Sequence, residues 1–391
     1  MLLNLLIYLT FILFSLGQLG RISFFGQQVN IYAYEGALLF VLLVLFVKYG
    51  AMPIKSAYSS FKSIFIFLAF LFFSYILNFF NFSWFENAVS FLYFLRLIFY
   101  CCFFFYLLFH CKKRKESRTV LKSGLTIFIG LTILISIAQY FFYPDLRNLI
   151  YGGWDPHFYR LFGVFFDTSI AGSVYGLLFL LVFFSGKELY SHRTRYIILS
   201  TLFIFIVLTF NRSLYIVFLL SIFIYVWLKK DFKKLAILIL LFAALIIIAP
   251  KPSGEGVNLL RVFSIESRIK DHQTAIQMWK RNPLIGIGYN RIRYEKRHLN
   301  IIEQTDEDSN HSGASFHSSF LIILVTGGIV GLVGFVGVLY QLVKLHRVAS
   351  YLIIFTSLLS LTDNILLLPF ILFLLFSAIT LIYTTPSRKL R

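Results

Sequence analysis

Apolar runs of about 17 to 25 residues, the length at which a helix crosses roughly 30 Å of hydrocarbon, recur from end to end of this 391-residue chain. No water is at hand inside lipid to satisfy the backbone, so each run must close its own hydrogen bonds as a helix. With 59% hydrophobic and only 14% charged residues, the chain holds more apolar surface than one soluble core buries. The expected fold is an all-α polytopic membrane protein with about twelve transmembrane helices. They read as Leu2–Leu19, Ile31–Val47, Ser63–Phe80, Ala88–Phe109, Val120–Phe142, Val164–Phe184, Tyr196–Phe210, Leu214–Leu228, Leu235–Ala249, His317–Leu342, Ala349–Leu361 and Ile365–Tyr383. Residues 1–391 then form a single integral membrane domain. Its first run lacks a basic start or a small-residue cleavage site and reads as a retained span.

The formal net charge of +19 sits mostly in short connections. With the amino terminus in the cytoplasm, every second connection is basic: Lys48/Lys55/Lys62, Lys112–Arg118, Lys187/Arg193/Arg195, Lys229–Lys234, Lys344/Arg347 and the tail Arg388/Lys389/Arg391. Lys and Arg are retained on the cytoplasmic side, so the charge reports orientation among membrane lipids and no nucleic acid partner is implied. Two connections on the opposite side are long, a smaller periplasmic loop at 143–160 and a large one at 250–316. Extracytoplasmic chemistry is expected there. Cys101, Cys102 and Cys111 lie in or beside one apolar run, without the spacing of a metal site or a disulfide framework.

An ionisable residue at the hydrocarbon edge is costly and calls for a role. Arg96 lies within the fourth span, Arg160 leads into the sixth, Arg212 occupies the Asn211-Arg212-Ser213 break, and Arg21 follows the first. All four fall toward one leaflet, where a set of guanidinium forks suits a lipid phosphate or diphosphate. For Arg21, snorkelling to headgroups is the preferred reading. In the large loop, Ile265, Ile269, His272, Ile276 and Trp279 recur at helical spacing. The pattern predicts an amphipathic helix capped by Ser264 and ended by Asn282-Pro283, with Arg268 and Asp271 off its apolar stripe. By spacing alone Arg268 is a solvated flank residue.

His317 opens the tenth span; taken alone, a histidine at a span's mouth is more often structural, though the position also suits a general base held rigidly near neutral pH. Behind it Gly327, Gly331, Gly334 and Gly337 invite close helix packing. Walker loops, dinucleotide fingerprints, His-x-x-x-His pairs and G-x-S-x-G elbows are absent from the sequence. The acidic stretch Asp306–Asp308 beside Asn310 and His311 reads as a solvated loop face, and neither a metal nor a cofactor is expected.

Taken in order, Arg160-Leu-Phe-Gly163-Val-Phe165 with Asp167-Thr-Ser169, Leu208-Thr209-Phe-Asn211-Arg212-Ser213, Ser267-Arg268 with Asn282-Pro283-Leu-Ile-Gly286-Ile-Gly288, and His317-Ser318 with Gly328 and Gly331 resemble the bacterial O-antigen ligase and polymerase family. These segments cover somewhat under half the chain. The resemblance implies metal-independent, inverting transfer of a glycan from undecaprenyl diphosphate to an acceptor hydroxyl, at a site under the large periplasmic loop. Carried over, Arg212, Arg268 and His317 are the catalytic residues, and Arg160, Arg212, Arg268 and Arg96 are the candidates to bind the diphosphate. Asn211 stands where the family often has Ser, and Asp167-Thr168 replaces the commoner Pro-Asn, leaving Asp167 without a role.

The ligase, with lipid A-core as acceptor, is favoured over the repeat-unit polymerase, which would extend a lipid-linked glycan. The paired arginine-to-glycine spacing of some polymerases is missed from Arg160, where Ala171 precedes Gly172. A flippase or transporter would show charges deep in several spans and repeated halves, and the sequence shows neither.

Overall fold

The computed structural model of the protein describes residues 1–152, 154–230, 232–250, 263–301 and 315–385. The Asp306–Asp308 stretch with Asn310 and His311, and the basic tail, lie outside these residues. The chain opens with α1 (Leu2–Phe14) and a two-stranded antiparallel hairpin, β1 (Arg21–Phe24) with β2 (Val29–Tyr32). Helices α2 (Ala33–Tyr49), α3 (Met52–Ser60), α4 (Lys62–Leu77), α5 (Trp84–Lys113) and α6 (Lys115–Phe142) follow. The second part holds α7 (Thr168–Leu189), α8 (His192–Leu208), α9 (Arg212–Lys229) and α10 (Phe232–Ile248). Last come α11 (Phe263–Arg281), the short α12 (Ile292–His298), α13 (Ser319–Val343), α14 (Arg347–Leu359) and α15 (Pro369–Thr384).

This is a multi-pass membrane protein, mostly helical, but the expected twelve spans are not there. Among the described residues, four helices are long and apolar enough to cross a bilayer: α5, α6, α7 and α13. A fifth exists only if α2 and α3, bent by 95° at their junction, count as one span. Six further apolar helices are shorter, and at a 1.5 Å rise per residue helices of that length reach only about 20–25 Å. The discrepancy has a plain cause: apolarity continues past the point where the helix stops. The run from Leu2 leaves helical geometry at Phe14 for a 3₁₀ turn, Ile31 and Tyr32 belong to β2, and the run from Ile365 becomes helical only at Pro369. The hairpin also corrects the all-α expectation.

Local chemistry sets the ends of the long helices. Ser83 and Glu86 cap α5 reciprocally, the Ser83 hydroxyl accepting from Glu86 N at 3.3 Å and Glu86 Oε2 accepting from Ser83 N at 2.8 Å. The same helix ends in His110, Lys112 and Lys113, cations suited to a helix C-terminus. One large apolar cluster unites the bundle, with Phe14, Phe128, Tyr175, Phe355 and Ile379 among its buried members. A second, smaller cluster forms a cap at one end: Val29 of the hairpin, Val89 of α5, Ala275 and Met278 of α11, Ile287, Phe316, and Ile322 and Val325 of α13.

The cap is joined to the bundle by a break in α13. Gly328 has φ +62° and ψ −167°, which interrupts the helical ladder. The segment after α11 supplies the missing partners. Ile287 N and Gly288 N donate to the carbonyls of Val325 and Thr326 at 3.1 and 2.9 Å, and Ile329 N donates to Pro283 O at 2.9 Å. A Cβ on Gly328 would lie 2.2 Å from Leu284 O, so only glycine meets both the backbone angle and the space. Gly327, Gly331 and Gly334 do lie against Leu71, Phe70 and Phe67 of α4, as small residues for close packing should, while Gly337 faces open space.

Candidate functional site

Three helix N-termini meet under the cap, each with a side chain from the preceding residue on its first amides. Asp167 Oδ1 accepts from Ser169 N and Ile170 N at 2.6 and 2.9 Å, Asn211 Oδ1 from Leu214 N at 3.0 Å, and Ser318 Oγ from Leu321 N at 3.4 Å. Helix N-termini carry partial positive charge and favour anions. Asn211 Nδ2 donates to Ser169 Oγ at 2.7 Å and so ties α9 to α7, while Ser318 Oγ donates to Ser360 O at 2.9 Å and ties the start of α13 to the end of α14. Asp167, to which the sequence assigned no role, is thus the cap of α7. A polar residue followed by Thr-Ser and an apolar run is a recognisable start signal.

Arg268 reaches into this junction from α11. Its Nη1 donates to Ser213 Oγ at 2.8 Å, and its Nη2 donates to both oxygens of Asp363, at 3.0 and 3.1 Å. Asp363 lies in the turn between α14 and α15. Burial pushes its carboxyl up, against the pull of the Arg268 guanidinium and with a further push from Asp167, to about 6. The sequence offered no signal for Asp363 beyond an acidic residue between two apolar runs.

His317 lies two residues before α13 begins, with Ser318 as the cap between. Its backbone N and its Nδ1 both meet Asp271 Oδ2, at 2.7 and 2.9 Å. A carboxylate only accepts, so the Nδ1 proton is held there and Nε2 carries the free lone pair. The hydrogen bond to Asp271 raises the His317 pKa above its ordinary value, against the effect of burial. Burial alone would push Asp271 up, but the His317 hydrogen bonds and the charge of Lys296 leave it below the usual carboxylate range. Lys296 stands 3.7 Å from Asp271 Oδ1, held by Ser315 O at 3.1 Å.

These contacts turn α11 relative to its apolar stripe. Ala275 and Met278 are buried, Arg268 and Asp271 are half-buried, and Ile269, expected on the inward face, is 51% exposed. Ser264 falls inside the first turn of a helix that begins at Phe263 and so does not precede it as the expected cap. Two ion pairs on one face outweigh the packing of one isoleucine, since an unpaired half-buried charge costs more than an exposed methyl group.

The remaining arginines divide. Arg212 is the first residue of α9, half-buried, in the break that the sequence predicts and beside the Ser213 that Arg268 touches. Arg160 is buried under the same break: its Nε donates to Thr209 O at 2.9 Å and its Nη2 to Thr168 Oγ1 at 2.7 Å and Phe210 O at 3.2 Å. Arg96 is elsewhere. Its Nε and Nη2 grip Glu35 at 2.7 and 2.5 Å, so the guanidinium has a polar partner inside the protein. Arg21 lies over the Trp154 ring, 5.1 Å from its centroid. Arg291, which the sequence did not single out, is wholly buried between the Tyr75 and Phe82 rings and donates to Asn87 Oδ1, Tyr75 O and Ile287 O. It locks the cap onto α4 and α5. Among the described residues no three His, Cys, Asp or Glu side chains gather as metal ligands would.

Residues 197–336, from within α8 to within α13, match the sequence model of the O-antigen ligase family. A domain of the O-antigen ligase and polymerase family is thus present over this part of the chain. The matched stretch contains Arg212, Arg268 and His317, whereas Arg96, Arg160, Asp167 and Asp363 of the same fold lie outside it. No curated protein sequence matches the chain.

Proposed function

We propose that the O-antigen ligase domain transfers a glycan from undecaprenyl diphosphate to an acceptor hydroxyl, at the junction of α7, α9, α11 and α13. The observation that carries the reading is Arg268. From the cap it reaches Ser213, next to Arg212, on one side and Asp363 on the other, so the motif segments share one junction. When the anomeric carbon–oxygen bond breaks, its electron pair leaves on the diphosphate. Arg212, Arg268 and the N-termini of α7 and α9 favour that growing charge. The acceptor oxygen attacks from the opposite face and gives its proton to His317 Nε2, so the configuration inverts. Arg160 supports the break from beneath. A diphosphate leaves readily, and the step needs no metal.

The site end of the molecule belongs on the periplasmic face of the inner membrane. All four long helices carry Lys at or just beyond the opposite end, at Lys112–Lys115, Lys187 and Lys344, where retained positive charge marks the cytoplasm. The loops at 143–160 and 250–316 then lie outside, within a single membrane domain. Lipid A-core is the acceptor that we favour.

The test is purified protein with undecaprenyl diphosphate glycan and acceptor, with and without EDTA. Folded His317→Ala should bind donor yet fail to transfer, and EDTA should change nothing. Near wild-type transfer by His317→Ala, or activity restored only by a divalent metal, overturns the proposal. Deletion of the gene decides the acceptor: long glycan accumulating on undecaprenyl diphosphate marks a ligase, and lipid A capped with single repeats marks a polymerase.

A further inference from the structure

Beside the junction lies a cavity of about 210 Å³, walled by the hairpin turn, α5, the 289–294 segment and the start of α15. Its walls mix amides with phenol rings: Gln28, Asn30, Asn290, Asn364, Tyr93 and Tyr294. Much of this wall is pre-set. Tyr294 OH donates to Gln28 Oε1 at 3.0 Å, Tyr93 OH to Gln28 O at 3.1 Å, and Ser23 Oγ to Asn30 Oδ1 at 2.7 Å. Asn364 Oδ1 accepts from Ser319 Oγ at 3.0 Å, which leaves its amide nitrogen, a double donor, with no protein partner among the described residues, and the residue lines the cavity. The Asn290 side-chain amide likewise has none.

We infer that this cavity seats one pyranose ring of a glycan taking part in the transfer. A sugar offers hydroxyls that both donate and accept and a face of C–H groups that lies on an aromatic ring; amides and tyrosines answer both. A lipid chain would leave these polar groups unpaired. A free phosphate would want an uncommitted cation, whereas Arg96 at the cavity wall already grips Glu35 with two hydrogen bonds. The volume is below the about 300–1,000 Å³ of sites for larger ligands, so it suits a single ring rather than a chain. Asn364 follows Asp363, the partner of Arg268, and Ser315 lies two residues before His317, so a sugar seated here borders the reacting groups. The assignment to a transferred glycan rests on the proposed function; the binding of a sugar does not.

The test has two arms. In the first, saturation-transfer NMR on the protein in nanodiscs uses methyl glycosides of glucose, galactose, mannose, N-acetylglucosamine and glucuronic acid. At least one should bind. Val89→Phe, which fills the cavity, and Tyr93→Ala, which removes a ring, should each weaken it by about tenfold or more, the worth of one or two lost contacts. Tyr93→Phe, which keeps the ring, should retain most of the binding. The second arm is the transfer assay. A raised KM for acceptor with an unchanged KM for donor identifies the sugar as the acceptor's, and the reverse pattern identifies it as the donor's first residue. If no glycoside binds, or if binding survives both Val89→Phe and Tyr93→Ala, the cavity is not a sugar site. Wild-type protein that binds a glycoside there but transfers nothing retains this inference and sinks the function proposed above.

Discussion

Arg96 and Arg268 each grip a carboxylate with two hydrogen bonds, in two parts of the molecule built on different principles. Around Arg96 the partners close a ring. Glu35 also accepts from Tyr100 OH at 2.6 Å and from Tyr32 N at 3.0 Å, Tyr100 in turn meets Tyr34 at 2.7 Å, and Arg96 lies over the Tyr32 ring. The carboxylate has its charge, its lone pairs and its helix cap all answered at once. Around Arg268 the set is left open. Its fork is split between Asp363 and a serine hydroxyl, and Asp363 is buried near another carboxylate, Asp167. A satisfied ion pair fixes structure, whereas one whose carboxylate is buried at a cost is suited to exchanging its partner for a ligand.

Breaking the closed pair should cost stability most. Glu35→Ala leaves the Arg96 charge uncompensated inside the protein and should destabilise it by about 3–5 kcal/mol, seen as a lower unfolding temperature in detergent. The corresponding cut at the open pair should appear in chemistry instead. Arg268→Ala should fold, yet lose about 10²- to 10³-fold in turnover, the usual effect of removing one donor to a developing anion. Arg268→Lys should rescue little, because an ammonium cannot span Asp363 and Ser213 as the fork does. An unfolding temperature falling as far for Arg268→Ala as for Glu35→Ala would erase the distinction.

Acidity should separate the pairs further. In the proposed mechanism His317 must be neutral to accept the proton, so transfer should rise with pH through its raised pKa. Asp271→Asn removes the group that raises His317, and the acid limb of the pH–rate profile should then move to lower pH. The linkage to stability has the opposite sign for the two carboxylates. Asp363 titrates higher folded than its ordinary 3.8, so its share of stability grows as pH falls from about 6 toward 4. Asp271 titrates lower, so its share is present above 3.8 and fades as pH falls through its folded value. The His317 share is full below 6.5 and is lost as pH rises through its folded value. In Asp363→Asn the gain between pH 6 and 4 should vanish, which thermal unfolding against pH would reveal.

The smallest effect is expected at a third pair, Arg147 with Asp145, which is bidentate at 2.8 and 2.6 Å but exposed. Water screens such a pair. Asp145→Asn should leave both the unfolding temperature and turnover unchanged within measurement.

Read as sequence, the chain determined a great deal that is local. Hydrophobic composition demanded a membrane and helices, and the Asn211-Arg212-Ser213 break, the end of α11 at Arg281 and the segments bearing Arg212, Arg268 and His317 could all be read along the chain, because each depends on neighbours within a few residues. The number of crossings was not determined that way: apolar side chains fill turns, strand ends and short helices as readily as spans, so counting them overshot twelve against four or five. Tertiary structure alone decided which face of α11 is buried, since Asp363 and Asp271's partner His317 arrive from 95 and 46 residues away. It also decided that Arg96 pairs with Glu35, that Gly328 breaks α13 to receive the cap, and that Arg291 is interior. These are pairings between charges or backbone groups distant in sequence, and no pattern along the chain records which of several equivalent partners the fold will bring within 3 Å of one another.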